Sequence, residues 1–348
     1  MTKTFCHRGH RETERRAGWV KRIVPAFIEL ITFSIPFLPL FFTPLAVSDS
    51  FTHEAGKISG YRPIFKPGYD AAGTLQIAIR RYENDSVSCL LLVNPVTLET
   101  STVKASAINL AGNVTSAAVQ DTPFVRAMTR YTSPPFRLQN HGAGRADHPV
   151  DGLFLTVDMC PSKRAFEREL FETAARLPQH KGGAVPVAIA VTGVWMKEHK
   201  GELAWLAREI TDGKLAVTWV NHSYGHPYEP GVPLKRNFLL TSGVDFEREV
   251  LETEALLLEN GFIPSPFFRF PGLVADGRLL GKLRELSLIP IGSDAWLAKG
   301  EVPRDGSFVL VHGNGNEPQG IKKALPLLHD RRRARLLPLR RAFSGVAP

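Results

Sequence analysis

The stretch Leu153-Phe-Leu-Thr-Val-Asp-Met-Cys-Pro-Ser162 joins an apolar run of strand length to a polar segment that opens with an aspartate. Similar apolar runs recur downstream, and amphipathic stretches with helical spacing lie between most of them. The strand candidates are residues 153–157, 185–191, 215–220, 267–270, 288–291 and 308–311, and the helix candidates are 163–177, 197–210, 246–260, 277–286 and 320–328. Strands that alternate with helices indicate a parallel sheet with right-handed crossovers, either open or closed into a barrel. The sequence therefore predicts an α/β domain over residues 151–328.

The chain ahead of this domain divides into two regions of different composition. In residues 49–119, two runs at 74–80 and 87–93 flank a polar turn and predict a β-hairpin, and a third strand-like run follows at 100–108. This predicts a small β-rich region, whose role the sequence does not assign. Residues 120–150 are rich in proline, glycine, arginine and histidine without a clear period, which is typical of a linker or a long surface loop.

Residues 1–48 have the layout of a targeting segment. A basic stretch over residues 1–22 precedes an apolar stretch over 23–47 whose single charge is Glu29. This layout is typical of a secretory signal peptide or a signal anchor. It predicts an exported protein that is either periplasmic or anchored in the inner membrane by this segment. Small residues near Ser48 suit cleavage there, but the apolar stretch is long enough to span a bilayer, so both outcomes stay open.

The net charge of +9 is concentrated at the two ends of the chain. Residues 1–22 hold seven basic and two acidic side chains, and residues 330–348 hold six arginines and one aspartate. The two ends together exceed the net charge of the whole chain, so the body between them is close to neutral. No nucleic-acid-binding motif accompanies the basic residues, which argues against a nucleic-acid partner. We interpret residues 329–348 as a basic tail, either solvated or bound to a membrane surface.

Chemically capable side chains follow the predicted strands directly. The carboxyl ends of parallel strands meet on one face of the sheet, where ligands bind, so we expect these side chains to lie close together. His222 and His226 are four residues apart, a spacing that places two imidazoles on one face of a helical turn and suits one divalent metal ion. This composition predicts a metal-assisted hydrolytic site. The strand-end residues are Asp158, His222, His226, Arg269, Asp294, Trp296 and His312.

Residues 150–315 resemble the polysaccharide deacetylases with a NodB-homology domain, carbohydrate esterase family 4. Five stretches carry the resemblance, in the order of the family's motifs. They are Thr156-Val-Asp-Met-Cys-Pro161, His222-Ser-Tyr-Gly-His226, Arg269-Phe-Pro-Gly272, Asp294-Ala-Trp296 and Leu310-Val-His312. The resemblance implies a distorted parallel (β/α) barrel. It also implies an enzyme that removes N-acetyl groups from a GlcNAc-containing polysaccharide or oligosaccharide.

The resemblance also implies roles for the residues that match. A divalent metal, zinc by family analogy, would be held by His222 and His226. Asp158 would act as general base toward water, and His312 would protonate the departing amine as general acid.

Four further residues receive supporting roles from the same resemblance. Arg269 would orient Asp158, and Asp294 would hold Arg269 or tune the general acid. Trp296 and Pro271 would contact the sugar.

The chain departs from the family pattern at Met159, where the family has a second aspartate that serves as the third metal ligand. A thioether is a poor substitute for a carboxylate on zinc. The metal could then rest on the two histidines and water, or take Asp158 or the thiolate of Cys160 as its third ligand. Loss of metal binding is the remaining option. In that case the chain would be a catalytically weakened, glycan-binding protein with a deacetylase fold.

Overall fold

The structure, a computed structural model, describes residues 55–110, 114–178, 183–330 and 334–343. The predictions for the leader, residues 1–48, lie outside the described residues. Within the described ranges, no helix has both the length and the apolar character needed to cross a membrane.

The first described element is a four-stranded antiparallel sheet with the strands in sequence order. Its strands are β1 (Ile58–Tyr69), β2 (Leu75–Asn84), β3 (Val87–Val93) and β4 (Thr100–Lys104). The predicted hairpin is confirmed, because β2 and β3 pair across a turn in which Asp85 and Ser86 both have positive φ. The sequence analysis missed β1, whose Pro63 and Pro67 interrupt the strand pattern. Proline is tolerated there because β1 is an edge strand, with one side free of ladder hydrogen bonds.

The second sheet has seven parallel strands, in the order β10-β11-β5-β6-β7-β8-β9. Its strands are β5 (Phe154–Met159), β6 (Val185–Val191), β7 (Leu215–Asn221), β8 (Pro264–Phe268), β9 (Ile289–Pro290), β10 (Ala295–Trp296) and β11 (Phe308–His312). The helices are α1 (Ser116–Gln120), α2 (Pro123–Tyr131), α3 (Arg168–Ala175), α4 (Gly193–Glu198), α5 (Lys200–Thr211), α6 (Phe246–Glu259), α7 (Gly277–Glu285) and α8 (Pro318–His329). The predicted α/β architecture, with a small β-rich region ahead of it, is confirmed.

The parallel sheet curves toward a closed barrel. Its two edge strands, β9 and β10, are consecutive along the chain, and only residues 291–294 lie between them. A connection of this length spans at most about 18 Å. Seven strands laid side by side in a flat sheet would separate the edges by about 29 Å. The sheet must therefore bend until its edges approach each other, as the predicted distorted barrel requires.

The remaining gap between the two edges is filled by residues 139–146. The amide of Ala143 donates to the carbonyl oxygen of Pro290 on β9, at 3.0 Å. On the other side, the carbonyl oxygen of Gly144 accepts from the amides of Asp294 and Phe308, at 3.1 and 3.2 Å. This segment therefore bridges the β9 edge of the sheet and the start of β11, the strand that pairs with the other edge strand.

The prediction of a linker or long loop over residues 120–150 is wrong for residues 123–131, which form a helix, whereas residues 132–150 contain neither helix nor strand. Helix α2 begins after Thr122, whose hydroxyl oxygen caps it by accepting from the amide of Val125. Phe124, Val125 and Met128 of this helix are buried. The proline and glycine content resembles a loop, but tertiary contacts with the barrel order the segment.

The interpretation of residues 329–348 as a solvated or membrane-binding tail is also wrong for the residues that the structure describes. Leu336, Leu337, Leu339 and Phe343 are buried. The amide of Leu153 donates to the carbonyl oxygen of Arg335 at 2.7 Å, and the amide of Leu337 donates to the carbonyl oxygen of Leu153 at 2.8 Å. Arginines and apolar residues are interspersed in this stretch, and Leu336, Leu337, Leu339 and Phe343 join the core.

A buried ion pair ties the small sheet to the barrel. Arg80 on β2 donates from Nε and Nη2 to the two carboxylate oxygens of Glu254 on α6, at 2.6 and 3.0 Å. The hydroxyl of Tyr61 on β1 donates to the same carboxylate at 2.9 Å. Both charged side chains are almost completely buried, so the two sheets pack with a fixed relation to each other.

Candidate active site

Strand register brings the predicted strand-end residues to one mouth of the barrel. His312 at the end of β11 lies directly beside Asp158 near the end of β5. Met159 on β5 pairs with Val191, which pairs in turn with Asn221 at the end of β7. Asp158, His222, His226, Arg269 and His312 thus converge there, as the spacing of the motifs predicts, and Cys160 joins them.

Cys160, His222 and His226 form a cluster that could hold a metal ion, with donor atoms that all lie within 4.8 Å of one another. The Sγ of Cys160 lies 3.5 Å from Nε2 of His222. The other ring nitrogen of His222, Nδ1, lies 2.8 Å from the carbonyl oxygen of Arg269. A carbonyl oxygen can only accept, so Nδ1 carries the proton and Nε2 is left with a free lone pair toward the cluster. Such an outer hydrogen bond is what orients histidine ligands in metal sites.

The two histidines are brought together by a loop rather than by the helical turn that their spacing predicts. Ser223 and His226 both have positive φ, at 67° and 48°. The amide of Ser223 donates to the Asn221 side chain at 2.9 Å, and the amide of His226 donates to the Ser223 hydroxyl at 3.2 Å. These local bonds replace helical ones and bring the imidazole centroids to 4.9 Å.

Met159 does not face this site. Its side chain is fully buried in the apolar layer between the sheet and the helices, with Val157 and Phe171. Side chains alternate along a strand, so Asp158 points to the opposite face. The methionine is therefore a core residue, and Cys160 supplies the third potential ligand beside the two histidines.

Arg269 makes the contact with Asp158 that the resemblance implies. This fully buried guanidinium donates from Nη1 to Oδ1 of Asp158 at 2.8 Å, and to the hydroxyl of Thr156 at 2.9 Å. Its Nη2 donates to the carbonyl oxygen of Gly292 at 2.9 Å. The second carboxylate oxygen of Asp158 lies 3.7 Å from Nε2 of His222. The aspartate is thus held with one oxygen directed at the cluster.

Glu317 is a site residue that the sequence analysis missed. Its carboxylate lies 2.8 Å from Nδ1 of His312, and it accepts from Nε1 of Trp296 at 2.8 Å. It stands at the start of α8, five residues after His312, inside a Gly-Asn-rich loop. An acidic residue so close in the sequence to the predicted general acid could have identified Glu317 as its partner.

Two of the predicted residues have other contacts than those expected. Asp294 accepts from the amide of Phe308 at 3.2 Å and lies 4.0 Å from Nε of Arg304, whereas the hydrogen bonds of Arg269 go elsewhere. The prediction that Asp294 holds Arg269 is therefore wrong. Pro271 is buried at the start of a one-turn 3-10 helix (Pro271–Leu273), so its ring is not exposed to a sugar.

Trp296, predicted to contact the sugar, is already engaged by its neighbours. Its ring lies 6.2 Å from the ring of His312, and Nζ of Lys299 lies 3.6 Å from the indole centroid. Together with the bond to Glu317, these contacts place Trp296 among the groups that support His312.

The charged groups of the site shift the pKa values of Cys160 and His312 in opposite directions. Burial by itself raises the pKa of the Cys160 thiol, but attraction to His226, His312 and His222 outweighs burial and holds this pKa well below its usual value. Burial likewise lowers the pKa of His312, and the opposing effects of Cys160 and Glu317 raise it well above its usual value. The thiolate is the form of cysteine that binds metal or attacks an electrophile.

The donor set fits a zinc ion. Zinc favours nitrogen and sulfur ligands, and a catalytic zinc site keeps three protein ligands and one open position. Cys160, His222 and His226 supply one sulfur and two nitrogens within mutual reach.

Comparisons with known proteins give one family match and several similar solved structures. The family described as RP012 protein N-terminal domain matches residues 59–125, which include the small sheet. A family 4 carbohydrate esterase from Bacillus anthracis is 18% identical, over 57% of this chain and 86% of that chain, with a TM-score of 0.41. The chitin deacetylase from the fungal pathogen Colletotrichum lindemuthianum is 17% identical, over 60% and 94%, with a TM-score of 0.40.

One similar solved structure is described as that of a pseudoenzyme. A family 4 carbohydrate esterase pseudoenzyme from Bacillus anthracis is 16% identical, over 54% of this chain and 64% of that chain, with a TM-score of 0.35. At these identities and TM-scores the similarities assign no activity to the chain, so its function has to come from the geometry of the site.

Proposed function

We propose that the chain is a metal-dependent hydrolase that removes N-acetyl groups from a GlcNAc-containing glycan. One observation carries the proposal: three metal-competent donors, on Cys160, His222 and His226, lie within 4.8 Å of one another. They stand beside a carboxylate, Asp158, and a histidine, His312, on adjacent strands. A carboxylate and a histidine next to a metal site are the groups needed to hydrolyse an unactivated amide.

The side chains can divide the reaction between them. When bound, a divalent ion supplies Lewis acidity and an activated water. Asp158, held by Arg269 at 2.8 Å, takes a proton from the attacking water as the new C–O bond forms. His312, next to Glu317, gives its proton to the amine nitrogen as the C–N bond breaks and acetate is released. A positioned acid–base pair of this kind contributes about 10²–10⁴-fold in rate.

The proposal also includes an N-acetylated glycan as the substrate and a location outside the cytoplasm. The motif resemblance over residues 150–315 supports an N-acetylated polysaccharide or oligosaccharide as substrate. The basic and apolar segments of residues 1–48 support export to the periplasm or anchoring in the inner membrane.

One observation favours a second candidate, covalent acyl transfer through Cys160. His312 is among the groups that lower the pKa of the Cys160 thiol, and its Nδ1 lies 2.8 Å from the Glu317 carboxylate. The three residues could serve as nucleophile, acid–base group and orienting carboxylate. The thiolate would attack the acetyl carbon, and the amine would leave with the proton of His312. Water would then hydrolyse the thioester to acetate and regenerate the thiol. This candidate requires no metal.

Substitution of Cys160 separates the two candidates. Zinc content and acetate release from N-acetylated chito-oligosaccharide and peptidoglycan are measured for the whole protein and for Cys160→Asp and Cys160→Ala. As a metal ligand, Cys160 should be partly replaced by aspartate, since carboxylates also bind zinc, whereas alanine should remove both zinc and activity. If Cys160 is instead the nucleophile, both substitutions should abolish acetate release, and the unsubstituted protein should keep its activity after zinc is removed. Cys89→Ala, in the buried part of β3, is the matched control and should change neither readout.

The proposal fails if the unsubstituted protein binds no zinc and releases no acetate from any of these glycans. Retained glycan binding in that case would identify a binding protein with a weakened site, the alternative left open by the sequence.

A further inference from the structure

An exposed aromatic ring lies close to the candidate metal cluster. Tyr228 follows His226 by two residues, and its side chain is 60% exposed. Its ring stacks on that of Phe238, with centroids 5.2 Å apart and planes 24° apart. The ring of Phe238 in turn meets His226 edge-on, with centroids 5.9 Å apart. A continuous row of rings therefore leads from a candidate ligand to the surface at the mouth of the barrel.

The loop that carries Tyr228 is held in one conformation by a buried asparagine. The side chain of Asn237 is 1% exposed, and both ends of its amide are used. Its Oδ1 accepts from the amides of Glu229 and Phe238, at 3.0 and 2.8 Å. Its Nδ2 donates to the carbonyl oxygens of Glu229 and Val232, at 2.6 and 3.1 Å. The ring of Tyr228 thus stands on a loop whose conformation is set before any ligand arrives.

The backbone conformation of Phe238 is strained, which indicates that the surrounding residues hold its ring in contact with Tyr228. Phe238 has a φ of 53°, a left-handed conformation that is a true outlier for a bulky side chain. Its ring packs so close to Gly272 that a β-carbon there would lie 2.4 Å from the ring. Strain of this kind persists only where the surrounding structure over-determines it, and it concentrates at functional sites.

We propose that Tyr228 is a sugar-binding platform that favours glycans longer than the reacting residue. The inference rests on the proposed function, because it takes the nearby cluster to be the place of reaction. A pyranose ring has an apolar face of C–H groups, and stacking it on an exposed aromatic ring removes apolar surface of both from water. The ring of Trp296 is in contact with Lys299, and its Nε1 donates to Glu317. The ring of Tyr228 stacks on Phe238, and its side chain remains exposed.

The test compares a long and a short ligand on Tyr228→Ala in the full, zinc-loaded protein. Calorimetric titration measures binding of the N-acetylglucosamine tetramer and monomer, and acetate release supplies KM and kcat for both. Tyr228→Ala should raise Kd and KM for the tetramer by about five- to tenfold, the effect of losing one aromatic contact. The kcat and the monomer constants should not change. Tyr228→Phe keeps the ring and should behave like the unsubstituted protein. Tyr69→Ala removes a 41% exposed tyrosine from β1 and should have no effect.

The outcomes separate this inference from the proposed function. If Tyr228→Ala binds the tetramer as tightly as the unsubstituted protein does, the platform is refuted even when acetate release is intact. If no acetate is released but the tetramer binds, and binds more weakly to Tyr228→Ala, the platform stands and the hydrolase assignment falls. If the unsubstituted protein does not bind the tetramer, the platform is refuted.

Discussion

Met159 and Cys160 show how a shift of one residue changes the chemistry available at the end of a strand. Motif comparison aligns Met159 with a metal-binding aspartate. In the structure Met159 packs into the apolar layer behind the sheet, while Cys160 joins His222 and His226. The absence of an aspartate at position 159 therefore does not remove a ligand from the site, because that position does not face it.

Met159→Asp should destabilise the protein without improving metal binding. The substitution would bury an unpaired carboxylate against Val157 and Phe171, which we expect to lower the free energy of unfolding by at least about 3 kcal/mol. Met159→Leu conserves volume and should cost less than about 1.5 kcal/mol. Urea unfolding and zinc titration measure the two effects. Unchanged stability together with tighter zinc binding would show that residue 159 does face the site.

Glu317→Gln should shift the pH dependence of the reaction. The carboxylate of Glu317 lies 2.8 Å from Nδ1 of His312 and helps to raise the pKa of His312 against the effect of burial. His312, the proposed general acid, must be protonated to act, so activity should be lost as pH rises through this pKa. Removing the charge lowers the pKa, and the alkaline fall in kcat should move to lower pH.

We expect kcat of Glu317→Gln at high pH to fall on the order of tenfold, and much less at low pH, where His312 stays protonated. Profiles of kcat against pH measure this, and Glu198→Gln, an exposed acid at the end of α4, is the control. A uniform loss of activity at every pH would argue for a purely structural role of Glu317.

At the scale of elements, the loop after β7 packs against the short turn after β8, and the contact requires a glycine in that turn. Gly272 has a φ of 60°, and Phe238 from the preceding loop packs against it where a β-carbon would stand. The glycine thus serves two purposes, a left-handed backbone and a close approach.

Gly272→Ala should therefore lower the free energy of unfolding by at least about 1–2 kcal/mol. Gly281→Ala on α7 is the matched control, because the added methyl group would meet nothing within 4 Å beyond its own helix backbone, and alanine favours helix. It should be neutral or stabilise by up to about 1 kcal/mol. Thermal unfolding distinguishes them, and equal melting temperatures for the two variants would contradict the argument from packing.

At the scale of the whole molecule, the ion pair of Arg80 and Glu254 joins two regions that are far apart in the sequence. The described tryptophans, Trp195, Trp205, Trp219 and Trp296, all belong to the barrel region. Their fluorescence therefore reports the unfolding of the barrel, even when the substitution is in the small sheet.

Glu254→Gln leaves the Arg80 guanidinium buried without its counter-charge and should cost about 3–5 kcal/mol. Replacing both partners with apolar residues, Arg80→Met with Glu254→Leu, should recover much of this loss. Tyr61→Phe removes only one hydrogen bond and should cost about 1 kcal/mol. Urea unfolding followed by tryptophan fluorescence measures all three. If Arg80→Met alone leaves the barrel transition unchanged, the two regions unfold independently.

The sequence by itself determined the alternation of strands and helices and the polar side chains that follow the strands, because periodicity and strand-end chemistry are local properties of the chain. Asp158, His222, His226, Arg269 and His312 could all be named from it. Only the tertiary structure decided that Cys160 rather than Met159 joins the histidines, that Glu317 supports His312, and that residues 139–146 close the barrel. These features depend on strand register and on contacts between segments distant along the chain. The local sequence around each residue does not predict such contacts.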